Sequence, residues 1–504
     1  MMTLKSSPMI RILYSSALLL TAVLWLGSNA CAAEKLNVLF ISIDDLNDYI
    51  SPLDNHPGVK TPNFERLAKR SVLFSNAHCA APACHPSRVA VMTGVHPVKS
   101  GIYRNLFKAH GPRWRHESPV LEDAVVISQH FRDNGYRAVG GGKIFHTLQW
   151  TPGDSQNDPA AWDDYRGDPL DPISGDWPRP EFARTTNQNK GFTGKRPLGF
   201  HLFGAAPVEL AAGQGDAAVV DWAVEQMNSN TDQPLFLAVG LFRPHIPWEV
   251  PQKWFDLYPE AEVQLPAYLE DDLSDAHSHG REKWHKWVTD NDQWKHLMRG
   301  YLASISYVDH QLGRLLDGLD ASPMSENTII VLWADHGFHI GEKQNWEKFA
   351  LWEQTTRTPL FIHAPGVSKD GDQTRQPATL TDLYPTLCEL TGLPVPEQCT
   401  GKSLAQQVKE PTDIDDRVSL TSFSFRQDEK RASHAISDIR YRYIKYSDGF
   451  EELYDLVNDR NEFNNLANDP EFAEIKERLA DRVPTKSADS VGPATNSPYH
   501  RGKK

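Results

Sequence analysis

Four stretches of the chain are apolar with little or no interruption. Residues 36–43 end in Asp44 and Asp45, and residues 235–242 end in Arg243, Pro244 and His245. Residues 328–333 lead through Ala334 to Asp335, His336 and Gly337, and a shorter run covers 360–363. Strands that read this way are buried on both faces, as in a parallel sheet. Helix-like stretches separate them at 63–71, 120–134, 217–228 and 296–319. The alternation predicts a doubly wound α/β sheet. In such sheets ligands bind beyond the carboxyl ends of the strands, where Asp44, Asp45, His245, Asp335 and His336 all fall.

The pattern changes elsewhere. Residues 154–195 are rich in Pro, Gly, Asp and Asn with little periodicity, and read as a long surface excursion. From about Asp413 the runs shorten: 418–425, 432–436 and 440–446 are β-like, and 470–479 is helical. This predicts a smaller α+β domain over 413–484, following a main α/β domain over 33–412. The polar stretch 485–504 reads as a disordered tail. At the other end, Lys5 and Arg11 precede a 15-residue apolar run, 12–26, followed by small residues up to Ala30-Cys31-Ala32. That is a signal-peptide pattern over 1–32, with a run too short for a span of about 20 residues. The expectation is export to the periplasm or outside the cell, with no stable membrane insertion after signal removal.

Composition narrows the function. The 504 residues are 40% hydrophobic and 23% charged, with a net charge of −14. Removing 1–32 takes away two basic and no acidic residues, which gives −16. A general nucleic-acid binder needs a basic face and is not expected, whereas an anionic small substrate is compatible with a locally basic cleft. Four cysteines remain after position 32: Cys79, Cys84, Cys388 and Cys399. They are too few for a disulfide scaffold, and the spacing of Cys388 and Cys399 leaves their pairing open.

The central motif is Cys84-His85-Pro86-Ser87-Arg88, running into Thr93-Gly94. A Cys followed by x-Pro and a helical stretch sits at a helix N-terminus, where unpaired N–H groups and the dipole favour anions. This segment resembles the signature of the type I, formylglycine-dependent sulfatases. The resemblance extends over residues 36–465 through Asp44-Asp45, Gly142-Lys143-Ile144-Phe145-His146, Arg243-Pro244-His245-Ile246-Pro247-Trp248, Asp335-His336-Gly337 and Lys348. The Gly-Lys-x-Phe-His and Pro-His-Ile-Pro forms look most like the iduronate-2-sulfatase-like branch.

The resemblance implies an alkaline-phosphatase-like fold: a large, mixed but mostly parallel sheet between helices. It also implies one Ca²⁺ per chain held by Asp44, Asp45, Cys84, Asp335 and His336, although the oxygen ligands suit Mg²⁺ as well. Cys84 would be oxidised to formylglycine (3-oxoalanine) by a maturation enzyme, and its hydrate would be the nucleophile. Arg88 would hold the hydrate, Lys143 and Lys348 the sulfate oxygens. His245 would protonate the leaving oxygen and His146 assist. The implied substrate is a sulfated saccharide. Trp114, Trp248 and Trp346 are either a sugar platform or core packing. His85 fills the variable slot of the motif, Phe338 stands where relatives often carry Trp, and 103–114 differs from the mammalian enzymes, so the sugar is open. The alternatives are a phosphatase or phosphodiesterase of the same architecture, and an inactive sulfated-glycan binder.

Overall fold

The computed structural model describes residues 35–53, 55–105, 114–146, 158–166, 205–207, 215–229, 232–425 and 431–491. The expected signal segment 1–32 lies outside them. So does most of the excursion read at 154–195.

An eight-stranded sheet organises the chain. Its strands are β1 (Asn37–Ile43), β2 (Val72–Phe74), β3 (Arg137–Gly142), β4 (Asp164–Arg166), β5 (Leu235–Leu241), β6 (Thr328–Ala334), β7 (Leu360–His363) and β8 (Gln373–Thr374). They lie in the order β8-β2-β7-β6-β1-β5-β3-β4. β1 pairs in parallel with both β5 and β6, and β7 alone runs against its neighbours. The apolar runs became the central strands because both their faces are covered. On one face Leu39, Ile41 and Ile43 join a large core with the helices Pro62–Ala68 (α1), Asp216–Met227 (α4) and Trp294–Asp320 (α5). On the other, Phe40 packs against Phe236 and Trp333, and Phe236 meets Phe131 of Ile127–Asp133 (α3). The helix Cys84–Thr93 (α2) is also packed near α3 and is buried along its whole length.

β3 has no uninterrupted apolar run, only Arg-Ala-Val-Gly-Gly-Gly, and periodicity does not reveal it. Its glycines are there for space. A Cβ on Gly142, which has φ +79, would lie 2.0 Å from the carbonyl oxygen of Gly240. The same close approach brings Lys143 against β5. β4 lies inside the stretch read as a surface excursion; Asp164–Arg166 instead forms the sheet edge, paired with β3.

A second sheet of four antiparallel strands follows: Ser419–Phe423 (β9), Ser433–Ser437 (β10), Tyr441–Lys445 (β11) and Glu451–Asp455 (β12). One face packs Phe423, Ala435, Ile444 and Tyr454 onto Ala83, Ala350, Leu351 and Trp352. The other packs Ile436, Tyr443 and Leu453 under Leu479 of Ala473–Ala480 (α6). Residues 485–491, read from sequence as the start of the tail, lie alongside the 98–103 segment. Ala488 N–H donates to Val98 O, and Tyr103 donates to Ala488 O at 3.0 Å. Backbone pairing holds this polar stretch, which hydropathy does not register. No helix among the described residues is long and apolar enough to cross a membrane.

His96 ties the segment after α2 to the C-terminal sheet. Its Nδ1 accepts from Val98 N–H at 3.1 Å, and its Nε2 lies 3.0 Å from the carbonyl oxygen of Leu420 in β9. Only the neutral ring, protonated at Nε2, satisfies both, and burial pushes its pKa down to about 4. A depressed His pKa contributes stability that is present above 6.5 and lost as pH falls toward 4. Between pH 7.5 and 4, the wild-type chain should therefore lose about 3 kcal/mol more stability than His96→Gln. Denaturant titrations of both proteins at the two pH values check this; parallel losses would refute it.

Candidate active site

The site forms where β1, β3, β5 and β6 end. Asp44 and Asp45 leave β1, Lys143 follows β3, residues 242–245 follow β5, and Asp335 and His336 follow β6. Cys84 is the first residue of α2, so its side chain sits at the helix N-terminus as the motif suggests. All the named groups except His245 are buried; the His245 side chain retains 20% exposure.

Arg88 is the hub. Its guanidinium donates to Asp335 Oδ2 at 2.9 Å, Asp44 Oδ1 at 3.1 Å, Ile144 O at 3.1 Å, and also to Lys143 O. Lys143 pairs in turn with Asp44 Oδ2. Lys348 Nζ lies 2.7 Å from Asp45 Oδ1 and 2.9 Å from Cys84 Sγ. His336 Nε2 lies 3.3 Å from Cys84 Sγ and 3.4 Å from Asp45 Oδ1, and its Nδ1 is 2.8 Å from Gly337 O. His245 Nε2 stands 3.6 Å from Asp45 Oδ2. His146 stands beside them, its ring 6.2 Å from that of His85 and close enough to Cys84 and Lys143 to feel their charges. The structure thus gathers every residue that the motifs singled out.

Burial and the local charges shift these groups strongly. Burial alone would raise Asp44, but Lys143, His245 and Arg88 outweigh it and hold the carboxyl well below its ordinary range. Burial pushes Asp335 up to about 7 against the pull of Arg88 and His336. Burial would lower His336, yet Asp335 and Cys84 bring it up to about 9. Burial would raise the Cys84 thiol, whereas Lys348, Lys143 and His336 carry it well below its ordinary value. Burial, aided by Lys143 and His85, takes His146 down to about 3.

Three carboxylates fit a hard cation. Ligand oxygens of Asp44, Asp45 and Asp335 lie within 4.8 Å of one another, and further such groups join Cys84 with Asp335 and His336, and Asp45 with Cys84 and His245. Asp45 Oδ2 is buried and has no hydrogen-bond partner among the described residues. A buried carboxylate oxygen in that state is costly unless a cation completes it.

Several supporting residues escape motif reading. Tyr301 of α5 donates to Asp45 O at 2.8 Å and accepts from Asn47 N–H, holding Asp45 in a left-handed conformation at φ 58. Periodicity marks Tyr301 only as core. Asp216, at the start of α4, accepts from the N–H groups of Phe242 and Arg243 and so fixes the turn that carries His245. An acidic residue in the first turn of a helix is ordinarily accounted for by the helix dipole, which hides this role. Trp114, Trp248 and Trp346 are fully buried, and Trp114 stacks on Phe145 at 5.8 Å, so the three are core rather than an exposed platform.

A model of the sulfatase family matches residues 36–393 of this chain. The chain belongs to the sulfatase family. A model named for the C-terminal part of N-sulphoglucosamine sulphohydrolase also matches residues 341–489 of this sulfatase. A sulfatase of Formosa agariphila is 38% identical over 479 residues, covering 92% of this chain and 90% of its own. The iduronate 2-sulfatase of Mus musculus is 31% identical over 424 residues, covering 73% and 71%. Among solved structures, a phosphonate monoester hydrolase of Agrobacterium radiobacter matches with TM-score 0.67 at 21% identity, covering 89% of this chain and 94% of its own. A protein solved with its substrate D-glucosamine-2-N,6-O-disulfate matches at 0.65 and 18%, covering 89% and 97%. The architecture is the alkaline-phosphatase-like one expected, with a C-terminal antiparallel sheet. The sulfatase is a sulfuric ester hydrolase.

Proposed function

We propose that this sulfatase is an exported, formylglycine-dependent enzyme of the iduronate-2-sulfatase-like branch that removes sulfate esters from sugars. The observation that carries the reading is the convergence of Cys84, three carboxylates and three permanent or near-permanent cations at one group of strand ends. Asp44, Asp45 and Asp335 are balanced by Arg88, Lys143 and Lys348 through direct ion pairs. A divalent cation bound there leaves an excess of positive charge, which suits an anionic ester. Asp44, Asp45, Asp335 and His336, with position 84, would hold Ca²⁺, which supplies Lewis-acid stabilisation of negative oxygen. Formylglycine at position 84 would supply the nucleophile and would require a maturation enzyme.

The chain's own residues then take defined parts. Arg88 fixes Asp44 and Asp335 and closes the floor of the site. Lys143 and Lys348 bind sulfate oxygens as cations already in place. His245, the partly exposed member, protonates the departing sugar oxygen, and His146 holds the group at position 84. The sugar assignment is supported by the iduronate 2-sulfatase likeness and by the Gly142–His146 and Pro244–Pro247 motifs. Residues 33–412 would form the catalytic domain and 413–484 a smaller α+β subdomain against it.

The test is release of inorganic sulfate from sulfated oligosaccharides by protein matured in an oxidising host, with matched phosphate esters as controls. Sulfate release that EDTA lowers at least about tenfold and Ca²⁺ restores is expected. Phosphate turnover above sulfate turnover would overturn the reading. Lys348→Met should lower kcat about 10²- to 10³-fold, the usual loss when one stabilising contact to developing charge is removed. A change under threefold would show that Lys348 only balances Asp45.

A further inference from the structure

The corner beside Cys84 holds polar groups that none of the roles above uses. His85 is 1% exposed, and neither of its ring nitrogens has a hydrogen-bond partner among the described residues. Its Nε2 faces Glu117 Oε2 at 3.6 Å, too far for a hydrogen bond, and that oxygen is also buried and unpartnered. Glu117 ends the helical turn Trp114–Glu117, which is anchored by the Trp114–Phe145 stack. The His85 ring packs edge-on against His146 at 6.2 Å, and His146 Nδ1 is a further buried atom without a partner. The His85 backbone is pinned, since its N–H donates to Asn105 Oδ1 at 2.9 Å.

Each buried polar group left in this state costs about 1–3 kcal/mol. An apolar side chain at position 85 would avoid that cost, so the pair calls for a polar group that arrives from outside. We infer that His85 and Glu117 form a subsite for a free hydroxyl on the sugar ring that carries the scissile sulfate. A hydroxyl is donor and acceptor at once. It donates to the Glu117 carboxylate and accepts from a His85 N–H, bridging a gap that the two side chains do not close themselves. A carboxylate or a second sulfate at this corner would be repelled by Glu117. This inference rests on the proposed function and adds a specificity determinant to it.

The experiment compares wild-type protein with His85→Leu and Glu117→Gln. Two substrates are used: 4-nitrophenyl sulfate, which has no sugar, and the sulfated disaccharide cleaved fastest among heparin, chondroitin and ulvan fragments. Both variants should lose at least about ten times more kcat/KM on the disaccharide than on 4-nitrophenyl sulfate, chiefly through KM. His85→Leu should melt no lower than wild type. Equal losses on the two substrates, or a lower melting temperature for His85→Leu, would assign the pair to structure and overturn the inference. If the wild type releases sulfate from neither substrate, the proposed function fails separately. The subsite is then judged by calorimetric titration of heparin disaccharide into Cys84→Ala, with and without His85→Leu. Weaker binding in the double variant supports it, and unchanged or absent binding refutes it.

Discussion

Cys84→Ala should abolish sulfate release, by at least about 10⁴-fold in kcat, while the protein stays folded. Losses of this size or greater follow removal of a covalent nucleophile from an otherwise intact site. The surroundings of Cys84 explain why nothing else would replace it. The residue is fully buried at the first position of α2, with Lys348 at 2.9 Å and His336 at 3.3 Å, and no other cysteine or serine side chain among the described residues is hydrogen-bonded to these two groups. Cys84→Ser adds a sharper test. A serine hydroxyl can take a sulfuryl group but has no second hydroxyl on the same carbon to expel it. The expectation is at most one equivalent of alcohol per site and no continuing turnover. Mass spectrometry of the peptide containing position 84 should show the aldehyde or its hydrate in active wild-type material. Sustained turnover by either variant would defeat the nucleophile assignment.

The largest effect on stability is expected for Arg88→Met. Arg88, Asp44 and Asp335 are all fully buried. Removing the guanidinium leaves two carboxylates with one cationic partner fewer each, and exposes the carbonyls of Lys143 and Ile144 to an apolar side chain. Breaking one partner out of a buried ion-pair network costs about 3–5 kcal/mol. Arg88→Lys keeps the charge but lacks the fork that reaches both carboxylates at once, so it should recover only part of the loss. Adding Asp335→Asn to Arg88→Met removes one stranded charge, and the double variant should be less unstable than the sum of the single ones. Urea unfolding of the wild type, Arg88→Met, Arg88→Lys, Asp335→Asn and the double variant measures these terms. A loss under about 1 kcal/mol for Arg88→Met would mean that the site is far more hydrated than its burial indicates.

Much of this site could be read before any coordinates, for a reason that lies in the fold. Asp44, Asp45, His245, Asp335 and His336 each lie within three residues of the end of an apolar run, and a strand buried on both faces announces its own end. β3 carries no such signal, since space for Tyr165, Trp222 and β5 requires glycines at 140, 141 and 142 in turn. Lys143 was legible only through its motif. The strand at 164–166 was hidden because it is a polar edge of three residues, partly exposed. Asp216 and Tyr301 could not be found in sequence, because their work is done across distances of tens to hundreds of residues through backbone groups that any residue type offers. The tryptophans show a limit of another kind: sequence leaves a large aromatic near a motif open between ligand surface and core, and burial decides for core at Trp114, Trp248 and Trp346.

The C-terminal sheet has a bearing on how the molecule is made. Arg442 of β11 donates to Leu351 O, and Glu452 of β12 accepts from Trp352 Nε1 at 2.8 Å. Both anchors grip the turn that follows Lys348 from about a hundred positions further along. On the ribosome, therefore, the turn that follows Lys348 lacks both of these anchors until residues 442–452 have emerged.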